Sequence, residues 1–299
     1  MVHLDHFRLD WDENIQITIS GGSSSGAQAC WIKEANGGFS PNWILLQNNT
    51  GLERNETHEF TARLEDHLQH EIVRVERTAA NGFKSVARVN VSRNGEPFLT
   101  LTTEHIKRKD GTVGPRPLPS DGPRRLCSGE LKTKTAHRYL RSLGWGRYGS
   151  VIGFRADEKL RVDRRRKTDA KRTKGVVEGG YGIFPMFEAG VKAEDVAAYG
   201  VQFDWWLSIP SWQGNCWPAC MMMSEWKMKE RILLALETDE GCRMIDTWVA
   251  MERMPRDRNR EFRPGRKSVE QLVREVLIGD MSVDAKALKA RPECGTCHD

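Results

Sequence analysis

No apolar run in this chain of 299 residues approaches the roughly 18 residues that a membrane-spanning helix needs. The start, Met1-Val2-His3-Leu4-Asp5-His6, lacks the basic-then-apolar order of a signal peptide. These two absences predict a cytoplasmic protein that does not use a membrane. There is no internal repeat, and aromatic and branched aliphatic residues are too frequent for a disordered or collagenous chain. Ser20-Gly21-Gly22 opens a glycine turn, yet neither the Gly-Lys-Ser/Thr ending of a Walker A loop nor the spacing of a dinucleotide fingerprint follows. An ordinary P-loop NTPase and a dehydrogenase are thereby disfavoured.

What is present is charge, unevenly placed. Residues 1–80 hold 6 Lys/Arg against 12 Asp/Glu, while the whole chain carries +5, so the later part is strongly basic and predicts an anionic partner: a nucleotide, a nucleic acid or a sulfate-like group. The seven cysteines, Cys30, Cys127, Cys216, Cys220, Cys242, Cys294 and Cys297, are odd in number. In a reducing compartment, closely spaced cysteines point to metal or redox chemistry before structural disulfides.

Hydrophobic patterning predicts alternating strands and helices. Gln16–Ile19 reads as a strand ending at a glycine turn, 27–35 as a helix, Trp43–Leu46 as a strand, 55–70 as a helix with Phe60, Leu64 and Leu68 on one face, and Ile72–Val75 as a strand. Such alternation predicts an α/β fold with a parallel sheet and right-handed crossovers, whose ligands sit at the carboxyl ends of strands. Further on, 132–143 reads as a helix and Val151–Phe154 as a buried strand. Residues 193–200, 225–237 and 269–278 read as helices. Two basic stretches, 107–125 and 155–174, read as solvated loops, the second with ten Lys/Arg against four Asp/Glu. The division expected is a nucleotide-binding α/β domain over 1–210 and a helical, cysteine-containing region over 211–299.

Ser20-Gly21-Gly22-Ser23-Ser24-Ser25, between a strand and a helix, places backbone N–H groups and a helix N-terminus where an anion can bind. Cys216-x-x-x-Cys220 with Cys127 upstream supplies three thiols, and a tail cysteine would complete a tetrahedral zinc or iron–sulfur set. The bland alternative is buried, unliganded thiols, which suits Cys30 and Cys242 best. Trp205, Trp206, Trp212 and Trp217 read as core. Trp145, Tyr148 and Tyr181 are available for stacking on bases beside the basic stretches.

In combination these landmarks resemble the phosphoadenosine phosphosulfate (PAPS) reductase-like branch of the adenine-nucleotide α-hydrolase, or PP-loop, superfamily, of the phage or prophage type. Ser20 to Ser25 match its Ser-Gly-Gly-x-Asp-Ser motif, with Ser24 where Asp is usual. The resemblance continues through Asn49-Thr50-Gly51 with Glu53 and Thr57, Cys127 with Lys132, Gly153 to Glu158, Gly214-Asn215-Cys216 with Cys220, and Glu293-Cys294-Gly295. It implies a Rossmann-like sheet whose first loop holds phosphate, Asn49 to Glu53 near an adenine nucleotide, either PAPS or ATP, and Arg155 and Lys132 as anion partners. For Arg155 and Asp157 the alternative is a surface ion pair at a strand end.

The same resemblance implies a four-iron, four-sulfur cluster, with zinc as the alternative, on Cys127, Cys216, Cys220 and Cys297. Mg is a further ion of the ATP-using chemistry. Cys294 would attack the sulfur of the nucleotide, and a thioredoxin-like protein would then release sulfite. A second version cleaves ATP and inserts sulfur into DNA or RNA held by the basic stretches. A third is a nucleotide- or DNA-binding accessory protein, favoured by the serine at position 24. A homo-oligomer is compatible with each.

Overall fold

A computed structural model describes residues 2–107, 111–115, 127–172, 179–209, 214–217, 223–253 and 266–281. In chain order its elements are β1 (Ile15–Ile19), α1 (Ser23–Asn36), β2 (Trp43–Asn49), α2 (Asn55–Leu68), β3 (Ile72–Arg77), β4 (Phe83–Val86), α3 (Glu96–Thr103), β5 (His105–Lys107) and β6 (Val113–Pro115). A π-helical turn, Cys127–Thr133, leads into α4 (Lys134–Ser142). There follow β7 (Arg147–Val151), α5 (Lys159–Arg172), β8 (Gly179–Ile183), α6 (Pro185–Glu188), α7 (Ala193–Gly200), α8 (Glu225–Ala235), α9 (Asp239–Arg253) and α10 (Val269–Leu277). Among the described residues no helix is long and apolar enough to cross a membrane.

The main sheet has the order β4-β3-β2-β1-β7-β8. All its pairings are parallel except β3 with β4. The α/β class and the mainly parallel sheet expected from the alternation are what the structure has. From β1 the chain steps outward to β2 and β3, then returns to β7 on β1's other side. The strand order therefore reverses between β1 and β7, the position at whose carboxyl ends open α/β sheets hold their ligands.

Alternation explains the layers. Ile15, Ile17 and Ile19 of β1 are buried with Trp31 of α1 and with Phe60, Leu64 and Leu68 of α2. Each such side chain withdrawn from water contributes about 1.5–3 kcal/mol. On the opposite face Leu46, Val75 and Tyr148 pack with Ala136 and Leu140 of α4. A third cluster joins Met228, Ile232, Met244, Trp248 and Leu272 of α8, α9 and α10 to Leu52, Phe98, Leu101 and Leu131. The last four all precede residue 210, so the C-terminal helices share their core with the α/β part.

Three expectations change. The strand expected at Val151–Phe154 lies earlier, over Arg147–Val151. Its Arg-Tyr-Gly-Ser-Val sequence carries little apolar signal because Gly149 packs closely, a Cβ there meeting Ile183 Cδ1 at 2.7 Å. The 155–174 run is not a loop: a 3-10 turn, Ala156–Glu158, enters α5, which spans Lys159–Arg172. Helix α9 was not anticipated at all. Of the 107–125 stretch, Lys107 and 111–115 take part in or adjoin the β5–β6 hairpin, and the rest lies outside the described residues.

Candidate functional site

Gly21 sits at φ +80°, and a Cβ there would collide with Thr57 Cγ2, so the turn after β1 requires glycine. Gly22 is the N-cap of α1 with an extended backbone (φ −101°), and Ser23 is the first helical residue. Ser25 Oγ closes the turn: it accepts from Ser20 N at 3.1 Å and from Ser20 Oγ at 3.0 Å, and donates to Gly22 O at 2.9 Å. The helix dipole and the first N–H groups of α1 make this end electropositive.

Ser24, 1% exposed, accepts a hydrogen bond from Arg155 Nη1 at 2.9 Å. That contact joins the loops after β1 and β7. Arg155 is itself 8% exposed. Its Nε donates to Asp157 Oδ1 at 3.1 Å, its Nη2 lies 3.8 Å from Glu158 Oε2, and its backbone N–H donates to Glu158 Oε2 at 3.1 Å. Asp157 is half-exposed at its side chain, 45%. The surface ion pair read as the alternative for Arg155 and Asp157 does form, and the same guanidinium also reaches the glycine loop.

The end of β2 is built differently. Asn49 donates to Glu76 Oε1 at 2.6 Å and to the Ser92 carbonyl at 2.8 Å, so its amide holds the β3 side of the sheet. Burial pushes the Glu76 carboxyl up, but the Ser92 N–H, Asn49, the Ser92 hydroxyl and Lys84 outweigh it and hold the group below its ordinary range. Gly51 turns at φ +76°. Glu53, 2% exposed, accepts from Thr50 N at 2.9 Å, Thr50 Oγ1 at 2.8 Å and Leu52 N at 3.2 Å. Lys132 Nζ lies 3.8 Å from Glu53 Oε1.

The Glu53 segment also meets the cysteine region. Glu53 forms an isolated antiparallel bridge with Cys216, Trp217 N donates to Leu52 O at 2.9 Å, and Arg54 N donates to Asn215 O at 3.0 Å. The Arg54 guanidinium stacks 3.9 Å over the Trp217 ring. Cys127 and Cys216 are half-buried and pack against the same apolar cluster. Cys220, Cys294 and Cys297 lie outside the described residues. Among the described residues no three or more His, Cys, Asp or Glu side chains gather as metal ligands. Cys30 is buried beside Tyr199, and burial pushes its thiol up to about 11, which fits the buried thiol expected there.

Sequence reasoning missed three contributors. Glu158 orients Arg155. Asn215 ties its carbonyl to Arg54 and Thr57. His58 is buried beneath the loop, where burial lowers its pKa against the opposing pull of Glu53. Glu158 and Asn215 fall within the quoted motifs but without these roles, Glu158 acting locally at a spacing of three, whereas Asn215 acts across a long sequence separation and His58 from within α2. One expectation about stacking fails: Tyr148 is 4% exposed, and Tyr181 donates its hydroxyl to Glu13 with Arg147 lying 5.1 Å over its ring. Tyr148 is core because it faces α4 from the middle of the sheet.

Two clefts open on the α1–α2 side of the sheet. One, of about 280 Å³, is walled by Phe60, Trp205 and Trp206 with Glu56 and Glu59; the other, of about 360 Å³, by Cys30, Lys33, His67 and Tyr199. Phe60 and Trp206 also crowd Gly26, which puts the first cleft one helical turn from the glycine loop. The arrangement at the carboxyl ends of β1 and β7 offers helix N–H groups, hydroxyls and a guanidinium, the chemistry that receives a phosphate or sulfate. The chain matches no model of a known protein family, and no curated protein matches it.

Proposed function

We propose that this protein binds an adenine nucleotide, PAPS or ATP, with its phosphates at Ser20 to Ser25, and that it performs sulfur-related chemistry of the PAPS reductase-like, PP-loop kind. The observation that supports the reading best is the Ser24–Arg155 contact, because it joins a glycine turn at a helix N-terminus to a guanidinium at the point where strand order reverses. That is where open α/β sheets hold their ligands. Lys132 is held beside Glu53 and serves as a second cation near the same sheet edge.

An iron–sulfur cluster is supported by Cys127 and Cys216 packing against one apolar cluster, a setting that suits thiolate ligation. Cys220 and Cys297 would complete the set, and the bound cluster would supply electrons or an electrophilic iron. Cys294 is proposed as the nucleophile toward the nucleotide's sulfur. A second reading, ATP-dependent sulfur insertion into nucleic acid, is favoured by α5, which begins directly after the Arg155 turn and exposes Arg164 and Lys167.

Calorimetric titration with ATP and with PAPS tests the core of the proposal. Micromolar binding of either, lost when Arg155 and Ser20 are both changed to Ala, is expected; no binding of either nucleotide removes it. Anaerobically purified protein should carry iron and sulfide in amounts near four each, falling in Cys216→Ser. Zinc without sulfide would make the thiol site structural. Thioredoxin-dependent sulfite release from PAPS, abolished by Cys294→Ser, selects the reductase version. DNA- or RNA-stimulated cleavage of ATP to AMP selects the other.

A further inference from the structure

The glycine loop is supplied with donors for an anion, and among the described residues no ligand set for a divalent cation is directed into it. A magnesium ion needs oxygen ligands in near-octahedral array, ordinarily one or two carboxylates alongside phosphate oxygens. Four carboxylates stand close to the loops after β1, β2 and β7 among the described residues, and each is engaged, Glu76 by Asn49, Ser92 and Lys84. Asp157 holds Arg155 Nε at 3.1 Å. Glu158 accepts from the Arg155 backbone at 3.1 Å and also pairs with Arg161. Glu53 accepts from Thr50 N, Thr50 Oγ1 and Leu52 N, with Lys132 at 3.8 Å. Inside the loop, at position 24, stands a hydroxyl that accepts from a guanidinium.

A cation at this point would face the positive end of α1 and the charge of Arg155 together. We propose that Arg155 takes the place of a divalent cation at this loop, so that the anionic ligand binds without metal, its charge met by the Nη1 edge of Arg155, whose Nε and Nη2 are held by Asp157, and by the α1 N-terminus. The proposal rests on the assignment of Ser20 to Ser25 as the phosphate loop. It explains why a buried serine is accommodated at position 24. A carboxylate there would pair with Arg155 Nη1 and withdraw it from the anion.

The test is calorimetric titration with ATP and with PAPS, in EDTA and in magnesium, on wild type, Ser24→Ala, Ser24→Asp and Arg155→Gln, with thermal melting as a check on folding. Wild-type affinity should agree within about twofold between the two buffers, and Arg155→Gln should weaken binding about tenfold or more in both, as loss of a charge-assisted contact does. Ser24→Ala, whatever its affinity, should bind equally well in EDTA and in magnesium. Ser24→Asp should bind about tenfold more weakly in EDTA and recover in magnesium, an acquired metal dependence that mere loosening of the fold would not produce. Should Ser24→Asp fail to melt cooperatively, the wild-type, Ser24→Ala and Arg155→Gln titrations decide. Wild-type binding in magnesium alone, or an unaffected Arg155→Gln, overturns the proposal and leaves the phosphate loop standing; absence of binding in both buffers removes the loop assignment itself.

Discussion

Gly21 makes the first turn possible, and its cost on substitution can be divided. An alanine there must hold φ near +80° and press its methyl into Thr57 Cγ2. The backbone part is about 1 kcal/mol and the clash adds a comparable amount, so Gly21→Ala should lose about 1–3 kcal/mol in urea unfolding. Thr57→Ser deletes Cγ2 while keeping the hydroxyl that donates to the Asn215 carbonyl. The double variant should therefore recover the steric part and leave the backbone part, a coupling that a double-mutant cycle reads directly. Zero coupling would show that the turn shifts away from α2 when crowded. The glycine turn was legible in the sequence because glycine and serine between a strand and a helix have few other uses. The partner of Ser24 was not, since Arg155 lies 131 residues away and only the sheet order brings the two loops together.

At the scale of the element, α5 shows how charge can mislead. Its density of Lys and Arg suggests a solvated loop, yet Lys159 pairs with Asp163 at 2.8 Å and Arg165 with Asp169 at 2.9 Å, both at a spacing of four, which favours a helix. Cation–ring contacts reinforce it, Arg161 lying 4.2 Å over Phe154. The pair at Arg165 and Asp169 does more than support its own helix: Asp169 Oδ2 accepts from Gly182 N at 2.9 Å and Arg165 Nη2 donates to Gly180 O at 2.6 Å. Helix α5 is thereby pinned to β8, an edge strand whose residues are all only half-buried. Asp169→Ala should cost about 1–2 kcal/mol, discounted for the partial exposure of the pair. The Gly182 amide should then exchange with deuterium faster than the amides of β1. Unchanged protection at Gly182 would mean that the β7–β8 ladder alone secures the edge. Strand β7 teaches the complementary lesson: its position is fixed by β1 and β8 on either side, so its own residues needed little apolar character to place it.

Across the whole molecule, the site and the C-terminal helices depend on one another through Trp248. This side chain, 2% exposed, donates from Nε1 to the Trp217 carbonyl at 3.0 Å and packs 5.4 Å from the Phe98 ring. Trp217 in turn donates its backbone N–H to Leu52 O, next to the bridge between Glu53 and Cys216. A chain of hydrogen bonds thus runs from the Trp248 indole in α9 to the loop after β2. Removing the indole opens a cavity and leaves the Trp217 carbonyl without this donor, so Trp248→Ala should lose about 3–5 kcal/mol. Because the cluster around Trp248 takes in Leu52, Phe98 and Leu131 as well as α8 to α10, its loss should be felt by the sheet. In urea, far-UV circular dichroism and tryptophan fluorescence should report one coincident transition in the wild type and one coincident, earlier transition in the variant. If the C-terminal helices folded as a separate unit, the variant would instead show an early fluorescence phase while most of the dichroism change stayed at the wild-type midpoint. Trp248→Phe, which fills much of the cavity but cannot donate, separates the two contributions: its shortfall from wild type measures the hydrogen bond to Trp217 and the remaining volume, and its gain over Ala measures the packing.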